Sequence, residues 1–303
     1  MTEKETIFLT GGTGFLGGYL APALVEHGYR LRALVRPFSI PNRATLLKEL
    51  GCEIIPGDLH LPEGFAPALE GVGTVIHLAA IVEGGRKRLL QTNWQGTAGL
   101  VRVAGAAGVE RIVHLSSLGA TPNPRFPYVY SAWLAEEEVR RGGLRWLIFR
   151  PSILVGPGDP FTGGLIWMAR GWPLIPLPRN RAYFQPLWVG DLVRCILQAL
   201  EDERLWVWGR IVELGGPEVF TLEEMARSVM AELGVTKPIV RLPRRPLRSF
   251  VRALRRLGLE TPYVEGHLIG IGNVTEFGTV EAVCGGKPRR LHEALELREE
   301  AKI

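Results

Sequence analysis

The stretch Thr10-Gly11-Gly12-Thr13-Gly14-Phe15-Leu16-Gly17 decides the fold of this 303-residue chain. It follows the apolar segment 7–10, which predicts a buried strand, and leads into the segment 15–26, which predicts a helix closed by Gly28. Three of its glycines are spaced three residues apart, where a tight turn and a close backbone approach both require glycine. A strand, a glycine loop and a helix in this order are typical of a site for the pyrophosphate of a dinucleotide.

The helix after this loop would present free N–H groups and the positive end of its dipole to phosphate oxygens. We therefore expect an NAD or NADP cofactor. The loop residues expected to hold it are Gly11, Thr13, Gly14, Phe15, Leu16 and Gly17. A plain glycine-rich turn is the alternative, and the strand and helix around the loop argue against it.

Short strands and helices alternate through the first half of the chain, which predicts a doubly wound α/β fold with a parallel Rossmann sheet. Further strands are expected at 30–36, 54–55, 75–78, 111–116 and 146–150, and helices at 86–108 and 132–141. After residue 155 this alternation stops, and glycine, proline and tryptophan become frequent. We expect a Rossmann domain at 1–155 and a smaller C-terminal substrate lobe at 156–303, interleaved with late Rossmann elements at roughly 183–215.

Two helices are expected within the second half of the chain. One covers residues 191–200 and could return to the sheet. The other is opened by a capping box formed by Thr221 and Glu224, and it ends at Gly234.

Composition excludes several classes of protein. No apolar run approaches the ~20 residues that a membrane-spanning helix needs, and acids near the N-terminus argue against a secretory signal. The cysteines Cys52, Cys195 and Cys284 are widely separated, and the six histidines show no metal-ligand spacing. We therefore expect a cytoplasmic protein with no metal site.

The residue at the end of the second expected strand bears on the choice between NAD and NADP. NAD-preferring sites usually place an Asp or Glu there to hold the ribose 2′-hydroxyl. This sequence has Arg36, whose guanidinium suits a 2′-phosphate. We expect NADP rather than NAD, and the alternative is that Arg36 is a solvated loop cation.

These features resemble the extended and atypical short-chain dehydrogenase/reductase (SDR) superfamily, which includes the NAD-dependent epimerases and dehydratases. Segments 10–17, 57–59, 77–80, 93–97 and 115–117 carry the resemblance. It implies further cofactor contacts beyond the glycine loop, from the residues Asp58, Leu59, Leu78, Ala79, Ala80 and Asn93.

Within the superfamily, segments 150–159 and 184–191 most closely resemble the NADPH-containing accessory subunit of respiratory complex I and its bacterial relatives. This resemblance implies cofactor contacts from Pro151 and Ile153. Asp191 resembles an acid that fixes a helix N-terminus, and we interpret it as a structural N-cap.

The catalytic machinery of the superfamily is incomplete in this sequence. The resemblance implies Ser117 and Tyr128 as catalytic residues, yet the lysine expected four residues after the tyrosine is replaced by Ala132. That lysine lowers the pKa of the tyrosine, so its loss predicts impaired standard chemistry. Lys87, or an arginine from another element, could replace it. Ser117 and Tyr128 could instead be relics that still line the site. A purely structural alternative is that Ser117 caps a strand end and Tyr128 is a packed aromatic.

A basic amphipathic helix is expected at 246–257, with five apolar residues on one face and four arginines opposite. Such a helix suits an anionic membrane or an acidic protein partner, and no motif for nucleic acid accompanies it. An ordinary solvated helix face is the alternative. The sequence leaves the oligomeric state open.

Two functions follow from these observations. The first is an NADP-binding SDR-like protein without standard Tyr–Lys catalysis, acting as a structural or redox-sensing nucleotide binder linked to a respiratory complex or membrane. The second is an active NADP-dependent reductase, epimerase or dehydratase for an apolar or sugar-nucleotide substrate.

Overall fold

A computed structural model describes residues 4–37, 41–179, 182–202, 207–243 and 272–300. The chain divides into two compact units. Unit 1 contains Met1–Pro151 and Leu192–Glu213, and unit 2 contains Ser152–Asp191 and Leu214–Ile303. The helix expected at 246–257 lies outside the described residues.

Unit 1 is built on a seven-stranded sheet. Strands are numbered along the chain, and the four between the sixth and the eleventh belong to unit 2. The strands of unit 1 are β1 Thr6–Thr10, β2 Arg30–Val35, β3 Glu53–Pro56, β4 Thr74–His77, β5 Arg111–Leu115, β6 Arg145–Pro151 and β11 Ile211–Leu214. The order across the sheet is β11-β6-β5-β4-β1-β2-β3, and β1 to β6 pair in parallel. The order in which successive strands are added to the sheet reverses between β1 and β4, the switch point at which doubly wound sheets bind ligands.

Helices cover the sheet of unit 1. They are α1 Phe15–Glu26, α2 Pro41–Glu49, α3 Arg86–Leu89, α4 Gly96–Ala106, α5 Pro127–Arg141 and most of α7 Val189–Glu201, and the sixth helix belongs to unit 2. Short 3-10 turns occur at Pro62–Gly64 and Ala66–Leu69, and a π turn at Leu90–Gln95 joins α3 to α4. All five residues of β1 are buried, as expected for a strand covered on both faces.

Unit 2 has its own apolar core. Its elements are β7 Leu154–Val155, α6 Pro160–Gly171, β8 Ile175–Pro178, β9 Tyr183–Phe184, β10 Leu187–Trp188, β12 Phe220–Thr221, α8 Leu222–Glu232, β13 Ile239–Leu242, α9 Thr279–Cys284 and α10 Leu291–Glu300. The strands form three pairs, β10 with β7, β12 with β9, and β13 with β8. Met168, Phe184 and Met225 are among the fully buried side chains that these elements share.

The structure agrees with most of the elements predicted from sequence. Helix α1 has the predicted bounds, and Thr221 and Glu224 form the predicted capping box at the start of α8. Two predicted helices need correction. The helix expected at 86–108 is interrupted by the π turn, and α5 begins at Pro127 rather than residue 132. Proline is favoured at the first position of a helix because its fixed φ is already helical.

Among the described residues, no helix combines the length and the apolar character that a bilayer crossing requires. The same residues contain no cluster of three or more His, Cys, Asp or Glu side chains placed to hold a metal ion.

Candidate functional site

The glycine loop begins where β1 ends. Gly11 has φ = 75°, a left-handed conformation that favours glycine. A Cβ atom at Gly11 would lie 2.8 Å from the backbone nitrogen of Ala79, which follows β4. The loop therefore approaches the chain after the neighbouring strand so closely that a side chain at Gly11 would not fit.

Helix α1 starts from the same loop with an open N-terminus. Gly14 is its N-cap residue, no side chain caps the helix, and its first turn contains no acid. A Cβ atom at Gly17 would overlap the backbone of Gly11 and Gly12. Glycine at this position thus allows the first turn to pack directly on the loop.

This geometry fits the pyrophosphate of a dinucleotide. The uncapped N-terminus of α1 offers N–H groups and the positive end of the helix dipole, and no carboxylate of its first turn competes with a phosphate. Thr13 and Phe15 are half-buried beside this end, and Leu16 is buried. When bound, a nicotinamide dinucleotide supplies hydride transfer, and the protein's part is to hold and orient it.

Two arginines follow β2, whose Leu34 pairs with Thr10 at the start of the loop. Arg36 directly follows β2 and is exposed, and its predicted contact with a 2′-phosphate stays a prediction. Arg43, in α2, was missed, and its guanidinium donates a hydrogen bond to the carbonyl of Thr13 at 2.9 Å. A sequence prediction of the helix at 41–49 would have identified Arg43, because that helix brings the arginine back to the loop.

The predicted contacts after β3 and β4 follow the ends of those strands. The carboxylate of Asp58 accepts a hydrogen bond from the backbone N–H of His60 at 2.9 Å, and Leu59 is buried. Leu78 and Ala79 are half-buried, and Ala80 is exposed. Since the carboxyl ends of parallel strands meet at one edge of the sheet, these segments lie at the same edge as the glycine loop.

Asn93 is buried in the π turn and holds the segment after β4. Its amide oxygen accepts from the N–H of Ile81, and its amide nitrogen donates to the carbonyl of Ile81, both at 2.8 Å. The same nitrogen donates to the hydroxyl of Ser131 in α5 at 3.0 Å. The π turn therefore gives Asn93 a fixed structural task, and its predicted cofactor contact stays a prediction.

A second buried network passes through His77 at the end of β4. Its Nδ1 lies 2.6 Å from the hydroxyl of Thr10, and its Nε2 lies 2.8 Å from that of Thr97. The Thr97 hydroxyl donates to the carbonyl of Asn93, so its oxygen accepts the proton of Nε2. Both histidine nitrogens are satisfied by a neutral ring. Burial lowers the pKa of His77 to about 4.

His114 on β5 stacks against this ring with a centroid distance of 5.1 Å. Neither of its nitrogens has a hydrogen-bond partner among the described residues. Burial, and then repulsion from His77, keep the pKa of His114 well below its ordinary value. The pair is therefore neutral at physiological pH.

The structure brings Ser117 and Tyr128 together. Both are buried, and the hydroxyl of Ser117 donates to the carbonyl of Leu118 at 3.3 Å. Burial raises the pKa of the Tyr128 hydroxyl above its ordinary value of 10.0, and the nearby Ser117 hydroxyl offsets only part of that rise. Ala132 follows one helical turn later and is also buried. A phenol in this setting is a poor source of phenolate at neutral pH.

No replacement for the missing lysine is found in the described part of the chain. Lys87, the lysine considered from sequence, is exposed on α3. No cation among the described residues contributes to the pKa of Tyr128. The hydroxyl thus lacks the charge that would lower its pKa.

A buried ion pair next to this site was missed by sequence analysis. Glu136 of α5 is 1% exposed, and Arg150 of β6 donates two hydrogen bonds to its carboxylate at 2.6 and 2.8 Å. Ser116 also donates to Glu136, at 2.5 Å. Burial opposes the charge of Arg150, but Glu136 and Glu213 outweigh it and raise the pKa of the guanidinium. The pair fixes the serine segment to α5.

Two residues from the segment 150–159 fall in different units. Pro151 ends β6, and its carbonyl accepts the N–H of Leu118 at 3.0 Å, beside Ser117. Ile153 belongs to unit 2, where it is buried and its carbonyl accepts the N–H of Leu187. Their predicted cofactor contacts stay predictions.

The predicted N-cap role of Asp191 is wrong. Helix α7 begins at Val189, so Asp191 lies inside its first turn. Its buried carboxylate accepts the backbone N–H of Arg289 at 2.8 Å. The residue joins two segments of unit 2.

The sheet order, the glycine loop and the serine–tyrosine pair define an NAD(P)-binding protein of the SDR class. The chain belongs to the NAD dependent epimerase/dehydratase family, whose model matches residues 7–215. The ceramide reductase of Caulobacter vibrioides is 30% identical over 79% of this chain and 74% of its own length. The similarity does not extend over the whole of either protein.

Two further comparisons bear on the predicted resemblance. In Dictyostelium discoideum, NADH dehydrogenase [ubiquinone] 1 alpha subcomplex subunit 9 is 29% identical over 72% of this chain and 61% of its own length. This confirms the resemblance to the complex I accessory subunit. An SDR protein from Agrobacterium tumefaciens with bound NAD has the same fold, with a TM-score of 0.72, 23% identity and 98% and 97% coverage of the two chains. The chain spans about half the length of several other curated relatives.

The stability of the protein should depend on pH through the two buried histidines. An unfolded histidine takes up a proton near pH 6.5, whereas folded His77 does so only near pH 4. The unfolded state binds more protons between these values, so the free energy of unfolding falls as pH is lowered through this window. From pH 7 to pH 5 we expect a loss of about 2 kcal/mol from His77 alone, measured by urea unfolding.

His114→Phe removes the contribution of His114 to the pH dependence of stability and leaves that of His77. An aromatic ring still stacks on His77, and no hydrogen bond is lost. This variant should lose less stability between pH 7 and pH 5 than the parent protein. The exposed His292→Gln variant leaves both buried rings in place and should match the parent. Identical pH profiles for all three proteins would contradict the interpretation.

The Glu136–Arg150 pair should be essential for stability. Glu136→Gln leaves a largely buried guanidinium poorly compensated, and we expect a loss of about 3 kcal/mol in chemical denaturation. The double variant E136Q/R150M should lose less, because no uncompensated charge remains. Glu63→Gln, which breaks an exposed pair with Arg102, is the control and should behave like the parent. A Glu136→Gln protein as stable as this control would refute the role.

Proposed function

We propose that this chain holds NADP(H) in unit 1 as a structural or redox-sensing nucleotide and does not carry out the standard Tyr–Lys chemistry of its family. The observation that carries the proposal is Ala132, one turn after a buried Tyr128 whose pKa is raised. The glycine loop and the uncapped N-terminus of α1 support binding of the cofactor, whereas the group that would lower the pKa of the tyrosine is absent from the described residues. Holding the nucleotide and using it are therefore separable.

The preference for NADP rests on two cations near the phosphate loop. Arg36 follows β2 where an acid would hold a 2′-hydroxyl, and residues 34–44 contain no acid. Arg43 is held against the loop through Thr13. Together they offer charge-assisted hydrogen bonds to a 2′-phosphate that NADH does not carry.

Similarity to the Dictyostelium NADH dehydrogenase subunit supports a place beside a respiratory complex or membrane. The basic segment 246–257, with its four arginines, is a proposed contact for an anionic membrane or an acidic partner. In this role the protein is peripheral to the membrane.

An active NADP-dependent reductase is the second candidate, and epimerase or dehydratase activity belongs to the same alternative. The proximity of the buried residues Ser117 and Tyr128 favours it, as does the similarity to a ceramide reductase. A substrate carbonyl next to the pair could still receive a proton from the neutral phenol.

Cofactor choice is tested by titrating the nucleotide-free protein with NADPH and NADH and following nicotinamide fluorescence. Arg36→Ala and Arg43→Ala should each weaken NADPH binding about tenfold, and NADH binding should hardly change. Lys48→Ala, on the same helix as Arg43, is the matched control. Equal affinity of the parent protein for NADPH and NADH would remove the proposed role of both arginines.

Turnover is tested with NADPH and a panel of long-chain ketones, apolar aldehydes and UDP-sugars. The parent and Tyr128→Phe should show the same background rate. Ala132→Lys restores a cation one turn from Tyr128, and it should raise the rate by about a hundredfold. Ala132→Met controls for side-chain size, and unchanged NADPH affinity verifies folding. A parent rate abolished by Tyr128→Phe would establish the reductase alternative instead.

A further inference from the structure

The short helix α3 carries three consecutive cations, Arg86, Lys87 and Arg88, and all three are exposed. Within the described ranges none of them has an acidic partner. Several other arginines of unit 1 form ion pairs, as Arg102 does with Glu63 and Arg150 does with Glu136. Helix α3 therefore carries three exposed cations that form no ion pair with a described acid.

An aromatic stripe lies at the start of α5. Tyr130 and Trp133 are three residues apart, a spacing that places side chains on one helix face, and Phe126 is the residue immediately before the helix. Phe126 is 41% exposed, and the rings of Tyr130 and Trp133 stack with centroids 6.2 Å apart. The guanidinium of Arg86 lies 5.9 Å from the centroid of Tyr130. This contact joins the cations of α3 to the aromatic stripe.

We propose that this α3–α5 surface, formed by Arg86, Lys87, Arg88, Phe126, Tyr130 and Trp133, docks on a bilayer that contains anionic phospholipids. Each cation near such a membrane contributes about 1 kcal/mol of attraction. Tyrosine and tryptophan rings are enriched at the level of the lipid headgroups, and an exposed phenylalanine can enter the acyl boundary. Charge and amphipathic rings thus fit one occupant, a negatively charged lipid surface.

The arrangement of the rings favours lipid over single-stranded nucleic acid. Proteins that bind single-stranded nucleic acid offer open aromatic faces on which bases stack. Tyr130 already stacks on Trp133 and has Arg86 beside its ring. Phosphate contacts alone would give only a salt-dependent, non-specific attraction to nucleic acid.

The location of this surface adds a consequence for the nucleotide site. Tyr128 belongs to the same helix and precedes Tyr130 by two residues. Docking would therefore bring the start of α5, with its serine–tyrosine pair, close to the membrane. The docking proposal does not depend on whether the pair is active.

The test is co-sedimentation of the full chain with two kinds of vesicle, phosphatidylcholine alone and an equimolar mixture of phosphatidylcholine and phosphatidylglycerol. The parent should bind the mixed vesicles and not the neutral ones. The triple variant R86Q/K87Q/R88Q should bind the mixed vesicles about a hundredfold more weakly. Phe126→Ser should weaken binding about tenfold, because an apolar side chain no longer enters the lipid.

Matched variants separate this surface from net charge and from hydrophobicity in general. K48Q/R170Q/R179Q removes the same three charges elsewhere and should weaken binding by about threefold or less, because distant charges are screened. Leu61→Ser removes an apolar side chain that is 70% exposed and should have no effect. NADPH affinity should be the same for all variants, which verifies that each is folded.

Several results would overturn the proposal. One is an equal loss of vesicle binding for the two triple variants. The others are no binding of the parent to mixed vesicles and full retention of that binding by R86Q/K87Q/R88Q. Loss of binding only when Arg248, Arg252, Arg255 and Arg256 are replaced by glutamine would assign the membrane contact to the segment 246–257. Tighter binding of the surface to a single-stranded oligonucleotide than to mixed vesicles would identify nucleic acid as its partner.

Discussion

The close approach of Gly11 to the backbone of Ala79 is the constraint on which the nucleotide site depends. It brings the turn after β1 against the chain leaving β4, at the point where the order of the parallel strands reverses. Because Gly11 has no side chain, the loop can make this close approach. The N-terminus of α1, which follows the loop, then lies at the edge of the sheet. The hydrogen bonds of Thr10 and His77 then fix the same two strands from inside. Backbone proximity and a buried polar contact thus define one position for the loop.

Holding a nucleotide and transferring a proton depend on different parts of unit 1. The cradle is made mainly of backbone, which is insensitive to most side-chain changes elsewhere. Proton transfer depends on the charge near one hydroxyl, and Ala132 leaves Tyr128 in a setting that favours its neutral form. Glu136 lies one turn further along α5, and its charge is neutralised by Arg150 in a structural ion pair. In the proposed function, the fold retains the cofactor site without the standard Tyr–Lys chemistry.

The sequence predicted the parts of the fold that local patterns encode. Apolar strands, the glycine loop and the capping box at Thr221 each depend on neighbouring residues, and the structure agrees with them. Features that depend on distant residues were missed. Arg43 meets Thr13 only after α2 has formed, and Glu136 meets Arg150 only after α5 packs on β6. The short strands of unit 2 have two to four residues, too few for a periodic pattern to show.

The π turn at Leu90–Gln95 sets the rotational phase between two helices. A π turn accommodates one more residue than an α-helical turn, and each residue of a helix rotates the chain by about 100°. The extra residue places Asn93 against Ile81 and simultaneously determines where α3 presents its cations relative to α4. Removing one residue here would turn α3 by about that angle and rotate its cations away from Tyr130. The length of this turn therefore fixes both an interior contact and the orientation of an outer surface.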